Sequence, residues 1–218
     1  MSGPLEFYYD YISPNAYLAW RTITDIAVQH GRQLSLKPVL FAGLLQAHTQ
    51  VGPAEVAPKR DWMIRNCLRK AHALGIRLVA PHSHPFNPLL ALRVTLACPA
   101  EDRHAVTDLL FRAVWADACD VSDLQTVERL LNDDGFSGAD LVAAASGEAA
   151  KKSLRLATDT AVSRSVFGVP TMIADNELFF GFDDLPWLER HLRGEDQLDE
   201  QQYAVWKTVK PTAWRSGK

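Results

Sequence analysis

Strand-like patterning is confined to the two ends of this chain, and the long stretch between them is patterned for helices. Leu5 to Tyr9 is aromatic and apolar enough for a buried strand, and Ala19, Trp20, Ile23, Ile26 and Ala27 then recur at helical spacing until Gly31 supplies a stop. Leu34 and Leu36 alternate with Ser35 and Lys37 before Pro38, which predicts a second strand. A right-handed crossover makes the two strands parallel. From Ala42 to about Arg164 the strand signal nearly vanishes, and Val106, Leu109, Leu110, Ala113 and Val114 show the helical spacing that replaces it. Breaks fall at Gly52-Pro53, at Pro81 to Pro88 and at Asp120-Val121-Ser122, where Ser122 with Gln125 fits a capping box. Thr171 to Ala174 and Leu178 to Phe180 then flank Asp175-Asn176, a pair that tolerates positive φ in a tight hairpin. A last helix is expected to start at Asp183 or Asp184 and run through Leu188 and Leu192. The result is an α/β chain in which residues 1–41 and 165–195 form one discontinuous unit, 42–164 a helical insertion, and 196–218 a polar tail. Trp206 and Trp214 in that tail fit an arm or a subunit contact.

The 218 residues are 47% hydrophobic and 22% charged, enough apolar material for one sizeable core or a core with an inserted subdomain. Lys and Arg number 23 against 26 Asp and Glu, a net charge of −3 with no long basic run, so no nucleic-acid partner is expected. No basic stretch followed by an apolar signal segment opens the sequence, and no apolar run reaches the roughly 18 residues that span a bilayer. A cytoplasmic protein without a membrane partner is the expectation. Cys67, Cys98 and Cys119 are odd in number and widely separated, with no Cys-x-x-Cys spacing, which favours buried reduced thiols over a disulfide framework.

The candidate site lies where the first strand hands over to the first helix, at Asp10-Tyr11-Ile12-Ser13-Pro14. Ser13 can cap the helix and Pro14 suits its first position, while the free backbone N–H groups and the helix dipole favour an anion beside the hydroxyl. A ligand thiolate is one such anion. The second signal is Phe167-Gly168-Val169-Pro170-Thr171, with a proline just before an apolar run. Taken singly, each residue also has a plain structural role: Ser13 and Asp183 as helix caps, Gln50 and Lys59 as solvated surface groups, Asn87 between two prolines as a turn former. His82 and His84 lack a third ligand at recognisable spacing, so no metal is expected.

Phe7-Tyr8-Tyr9-Asp10-Tyr11-Ile12-Ser13-Pro14 with Ala16-Tyr17-Leu18-Ala19, then Ala113-Val114-Trp115-Ala116-Asp117 with Asp120-Val121-Ser122-Asp123, then Val166 to Thr171, then Phe180-Gly181-Phe182-Asp183, occur in this order along nearly the whole chain. Together they resemble the 2-hydroxychromene-2-carboxylate isomerase and kappa-class glutathione transferase family of the DsbA-like thioredoxin superfamily. That resemblance implies a thioredoxin-like fold carrying a large all-helical insertion, glutathione as cofactor, a small aromatic substrate and a homodimer. It also implies roles. Ser13 takes the place of the first cysteine of a redox CxxC and hydrogen-bonds the sulfur of glutathione; Pro170 is cis, and the backbone of Val169 pairs with the cysteinyl backbone. Asp183 holds the γ-glutamyl ammonium, Gln50 and Lys59 stand for the asparagine and lysine of the insertion, and Asn87 borders the substrate pocket. The sequence departs from the family pattern at Asn15, where an aromatic residue is common, at Gln50, which is longer than the asparagine, and at Gly52, which interrupts a Pro-Pro pair. The implied activity is reversible thiolate addition that isomerises an unsaturated oxo-acid, with conjugate release by a kappa-like transferase, or glutathione binding without turnover, as the alternatives.

Overall fold

β1 (Leu5–Tyr9), α1 (Pro14–Gln29) and β2 (Leu34–Pro38) form the expected crossover, with β1 and β2 parallel in a register running from Leu5↔Leu34 to Tyr9↔Pro38. The computed structural model describes residues 3–213, so Trp214 lies outside the described residues. Between β2 and the next strand come seven helices and one 3₁₀ turn (Pro53–Glu55): α2 (Phe41–Ala47), α3 (Ala57–Leu74), α4 (Leu89–Ala97), α5 (Arg103–Trp115), α6 (Leu124–Asp133), α7 (Gly138–Ser146) and α8 (Glu148–Ser163). β3 (Thr171–Ala174) and β4 (Glu177–Phe180) close a sheet of order β2-β1-β3-β4, with β3 antiparallel to both neighbours. The hairpin turns where expected, with Asp175 at φ 50° and Asn176 at φ 69°. α9 (Leu185–Leu192) and α10 (Glu200–Thr208) complete the chain. This is a thioredoxin fold with its helical insertion between β2 and β3.

Alternation along β1 sends Phe7 and Tyr9 to one face of the sheet and Tyr8 to the other, and both faces are covered. On the first face Phe111 of α5 meets the rings of Tyr9, Tyr11, Tyr17 and Trp20 at centroid distances of 5.4, 4.7, 6.1 and 6.2 Å. Two phenols are fully buried there, and an unpaired buried hydroxyl is costly. Each is satisfied by a threonine of the insertion, Tyr9 by Thr107 at 2.8 Å and Tyr11 by Thr95 at 2.7 Å. Trp115 adds a 2.8 Å hydrogen bond from Nε1 to the Tyr11 carbonyl. The insertion thereby holds the β1–α1 junction in place.

One local expectation is corrected by the structure, the capping box at Ser122. The cap of α6 is Asp123, whose Oδ2 accepts from Thr126 N at 2.8 Å, while the Ser122 hydroxyl donates to Asp120 at 2.6 Å. With the Ser122 hydroxyl engaged by Asp120, the next residue supplies the capping oxygen. Of the two aspartates expected to start the last helix, Asp184 is its N-cap and Asp183 is not: a 3₁₀ turn over Phe182–Asp184 precedes α9, and the Asp184 carboxylate accepts from Phe180 N of β4 at 2.9 Å. Within the polar tail, α10 is capped by Asp199, which accepts from Gln202 N at 2.9 Å, and Trp206 is 71% exposed. Cys67, Cys98 and Cys119 are all unpaired, the first two buried and Cys119 partly so.

Candidate functional site

Ser13 stands at the N-cap of α1 with its Oγ accepting from Ala16 N at 3.1 Å, and Pro14 occupies the first turn. Capping uses only a lone pair. The single O–H of Ser13 has no acceptor among the described residues and remains free to donate to a ligand. The first intrahelical bond is Tyr17 N to Ser13 O at 3.1 Å, so the N–H of Asn15 lies ahead of the helical ladder and adds positive character at the same spot. One hydroxyl can thus cap the helix and donate to a ligand, acting through different atoms.

The backbone carrying Ser13 is tied down from below. Asp10, fully buried, accepts from Ile12 N at 3.1 Å and from Phe41 N at 2.8 Å, joining the Ser13 loop to the start of α2. His84 lies 3.1 Å through Nε2 from the Ile12 carbonyl, which can only accept, so the proton sits on Nε2. Burial lowers the His84 pKa below its usual 6.5, against the pull of the Ile12 hydrogen bond, and so favours the neutral ring. For Asp10, burial outweighs both N–H donors and pushes the carboxyl from 3.8 up to about 7. A folded-state pKa above the unfolded value means the folded chain holds that proton more tightly, so the group's contribution to stability is full below the unfolded pKa and lost as pH rises through the folded one. Denaturant unfolding of wild type and Asp10→Asn from about pH 4 to about pH 8 checks this. The stability difference should move in favour of the asparagine variant as pH rises; a difference constant across the window would contradict it.

A cleft of about 600 Å³ opens over this junction. It brings together Ser13, Gln50, Val169, Pro170 and Asp183, which the sequence placed far apart. The Val169–Pro170 peptide is cis. Among the described residues neither the N–H nor the C=O of Val169 takes part in a hydrogen bond, although the residue is 8% exposed, which leaves a donor and an acceptor for an extended ligand backbone. A Cβ at Gly168 would lie 2.6 Å from Cε2 of Phe180, so any other residue there would push that ring aside. Lys59 and Asn87 do not line this cleft. Lys59 is exposed in the first turn of α3, and the Asn87 side chain accepts from Leu89 N at 3.0 Å as a turn former.

Lys70 is the ammonium that lines the cleft, and sequence reasoning passed over it. Its Nζ is 2.8 Å from Asp183 Oδ2 and 3.3 Å from Asn15 Oδ1, and it stands 5.1 Å over the Phe182 ring. A signal existed. Lys59, Met63, Asn66 and Lys70 fall on one stripe of α3 at helical offsets, and the last three line the cleft.

Position Ala16 stands three residues after Ser13, where a dithiol enzyme needs its resolving sulfur, and none of the cysteines lines the cleft. Insulin reduction is therefore expected to be blank. Turnover abolished by replacing Cys67, Cys98 or Cys119 would show dithiol exchange relocated elsewhere in the chain.

A thioredoxin sheet with a large helical insertion, and a serine at the N-cap of the first helix, define the class. The chain belongs to the DSBA-like thioredoxin domain family, which matches residues 4–193. It is similar to the 2-hydroxychromene-2-carboxylate isomerase of Sphingobium xenophagum, 27% identical over 88% of this chain and 99% of that protein. It is also similar to glutathione S-transferase kappa 2 of Caenorhabditis elegans, 26% identical over 84% of this chain and 88% of that protein. The solved structure of a 2-hydroxychromene-2-carboxylate isomerase superposes with a TM-score of 0.81 at 26% identity, covering 92% of this chain and 98% of that one. The resemblance carried by the motifs thus extends through sequence and fold.

Proposed function

We propose that this protein is a glutathione-dependent isomerase of an aromatic unsaturated oxo-acid, on the pattern of 2-hydroxychromene-2-carboxylate to trans-o-hydroxybenzylidenepyruvate. The observation that carries the reading is the Ser13 hydroxyl, capped through its oxygen yet free through its hydrogen, at the N-terminus of α1 in a roomy cleft. The residues fit glutathione: a thiol donor site at Ser13, an unpartnered backbone N–H and C=O at Val169, and a charged pair at Lys70 and Asp183. Bound glutathione supplies a thiolate that adds to an electron-poor carbon, permits ring opening or bond rotation, and departs unchanged. Ser13 lowers the cost of holding that sulfur ionised, since a free thiol is only a few per cent ionised at neutral pH. Val169 and Pro170 align the peptide backbone, Asp183 takes the ammonium, and Gln50 orients the far end. Lys59, outside the cleft lining but on the α3 stripe that runs to Lys70, is assigned a glycyl or substrate carboxylate, and Asn87, between the lining residues Phe86 and Pro88, the edge of the second substrate. We place the protein in the cytoplasm as a homodimer, a compartment in which three unpaired thiols stay reduced.

The similarity to a kappa-class transferase favours one second reading, the release of a glutathione conjugate. Mass spectrometry of products from glutathione and chromene carboxylates separates them. An isomer of unchanged mass with glutathione recovered supports the isomerase, a product heavier by glutathione supports the transferase, and no product with glutathione bound supports a binding protein.

A further inference from the structure

We propose that Lys70 and Asp183 together read the amino-acid end of glutathione, Lys70 taking the α-carboxylate of the γ-glutamyl residue while Asp183 takes its α-ammonium. The inference rests on glutathione being the ligand of the cleft. Nζ of Lys70 lies 2.8 Å from Asp183 Oδ2, so the cleft wall carries a cation and an anion side by side. The α-carbon of a γ-glutamyl group carries the matching anion and cation on one atom. Docked against each other, the two pairs alternate in sign, and each charge on the protein keeps an opposite neighbour.

The valences for this are present without breaking the pair. Lys70 has three N–H donors and uses one on Asp183 and one on Asn15, and Asp183 Oδ1 has no partner among the described residues. The lysine is also held ready. Its side chain is only 12% exposed, fixed between Asn15, Asp183 and the Phe182 ring, whereas the Asp183 side chain is 72% exposed and can turn to meet a ligand. A lysine ordered before the ligand arrives loses little rotamer freedom on binding. The Asn15 amide oxygen, 3.3 Å from Nζ, steadies the ammonium in that position.

Calorimetry with three peptides tests the assignment: glutathione, 4-aminobutyryl-Cys-Gly, which lacks only the α-carboxylate, and glutaryl-Cys-Gly, which lacks only the ammonium. The native protein should bind each truncated peptide about tenfold or more weakly than glutathione. Lys70→Met, which keeps the stem packed on Phe182, should lose the preference over the peptide without a carboxylate and keep the preference over the one without an ammonium. Asp183→Asn should show the reverse. Glutathione binding by the native protein together with an unaltered carboxylate preference in Lys70→Met would overturn this inference alone. No glutathione binding by the folded native protein would overturn both it and the functional reading on which it rests.

Discussion

Ser13→Ala is expected to lower turnover about 10²-fold, the loss typical when one donor to a developing or reacting anion is removed. Glutathione affinity should change by no more than about threefold, because Val169, Lys70 and Asp183 address other parts of the peptide and only the Ser13 O–H is assigned to the sulfur. The same substitution removes the acceptor for Ala16 N and costs ~1 kcal/mol of stability as a lost cap. Glycine separates the two effects. Glycine at an N-cap costs only a few tenths of a kcal/mol, so Ser13→Gly should recover most of the stability while turnover stays low. Recovery of turnover along with stability in the glycine variant would leave Ser13 a cap and nothing more.

Phe111→Ala carries the largest expected effect on stability, about 3–5 kcal/mol. The ring is fully buried and touches residues from β1, from the junction and from α1, so its loss leaves a cavity between the insertion and the sheet. Neighbours cannot close over it cheaply, because Tyr9 and Tyr11 are pinned by their bonds to Thr107 and Thr95. The measurement is urea unfolding, with a lower midpoint and an unchanged slope. A loss below about 1 kcal/mol would mean that the two parts of the chain do not share this core.

How much of this was readable in the residues depends on how local each cause is. β1, α1, β2 and the Asp175-Asn176 hairpin were legible because periodicity and turn chemistry act within a few residues. The α6 cap was not, since Asp120, Ser122 and Asp123 compete within one short stretch and only geometry selects the winner. α10 went unseen because none of its residues is buried, and a helix without a buried face leaves no apolar stripe to detect. Its start was marked all the same, by Asp199 three residues before Gln202.

The site divides the same way. Ser13 and the Val169-Pro170 loop announced themselves as local motifs, at a strand–helix junction and before a strand. Asp10 stood in plain view between aromatic residues, yet its meaning depends on Phe41 N, which lies far along the chain. Lys70 required knowing which face of α3 turns to the cleft, a tertiary fact; with Lys59 as anchor, the helical stripe leads to it.

The central claim is that the Ser13 O–H holds the sulfur of bound glutathione as a thiolate. Ultraviolet thiolate absorbance of glutathione titrated with pH, at saturating native protein and again with Ser13→Ala, measures it directly. The account predicts a bound thiol that titrates clearly below the free-thiol value of about 8.5 in the native protein and returns toward that value in the alanine variant. A bound thiol that titrates as it does in water, with the same midpoint in both proteins, would contradict it.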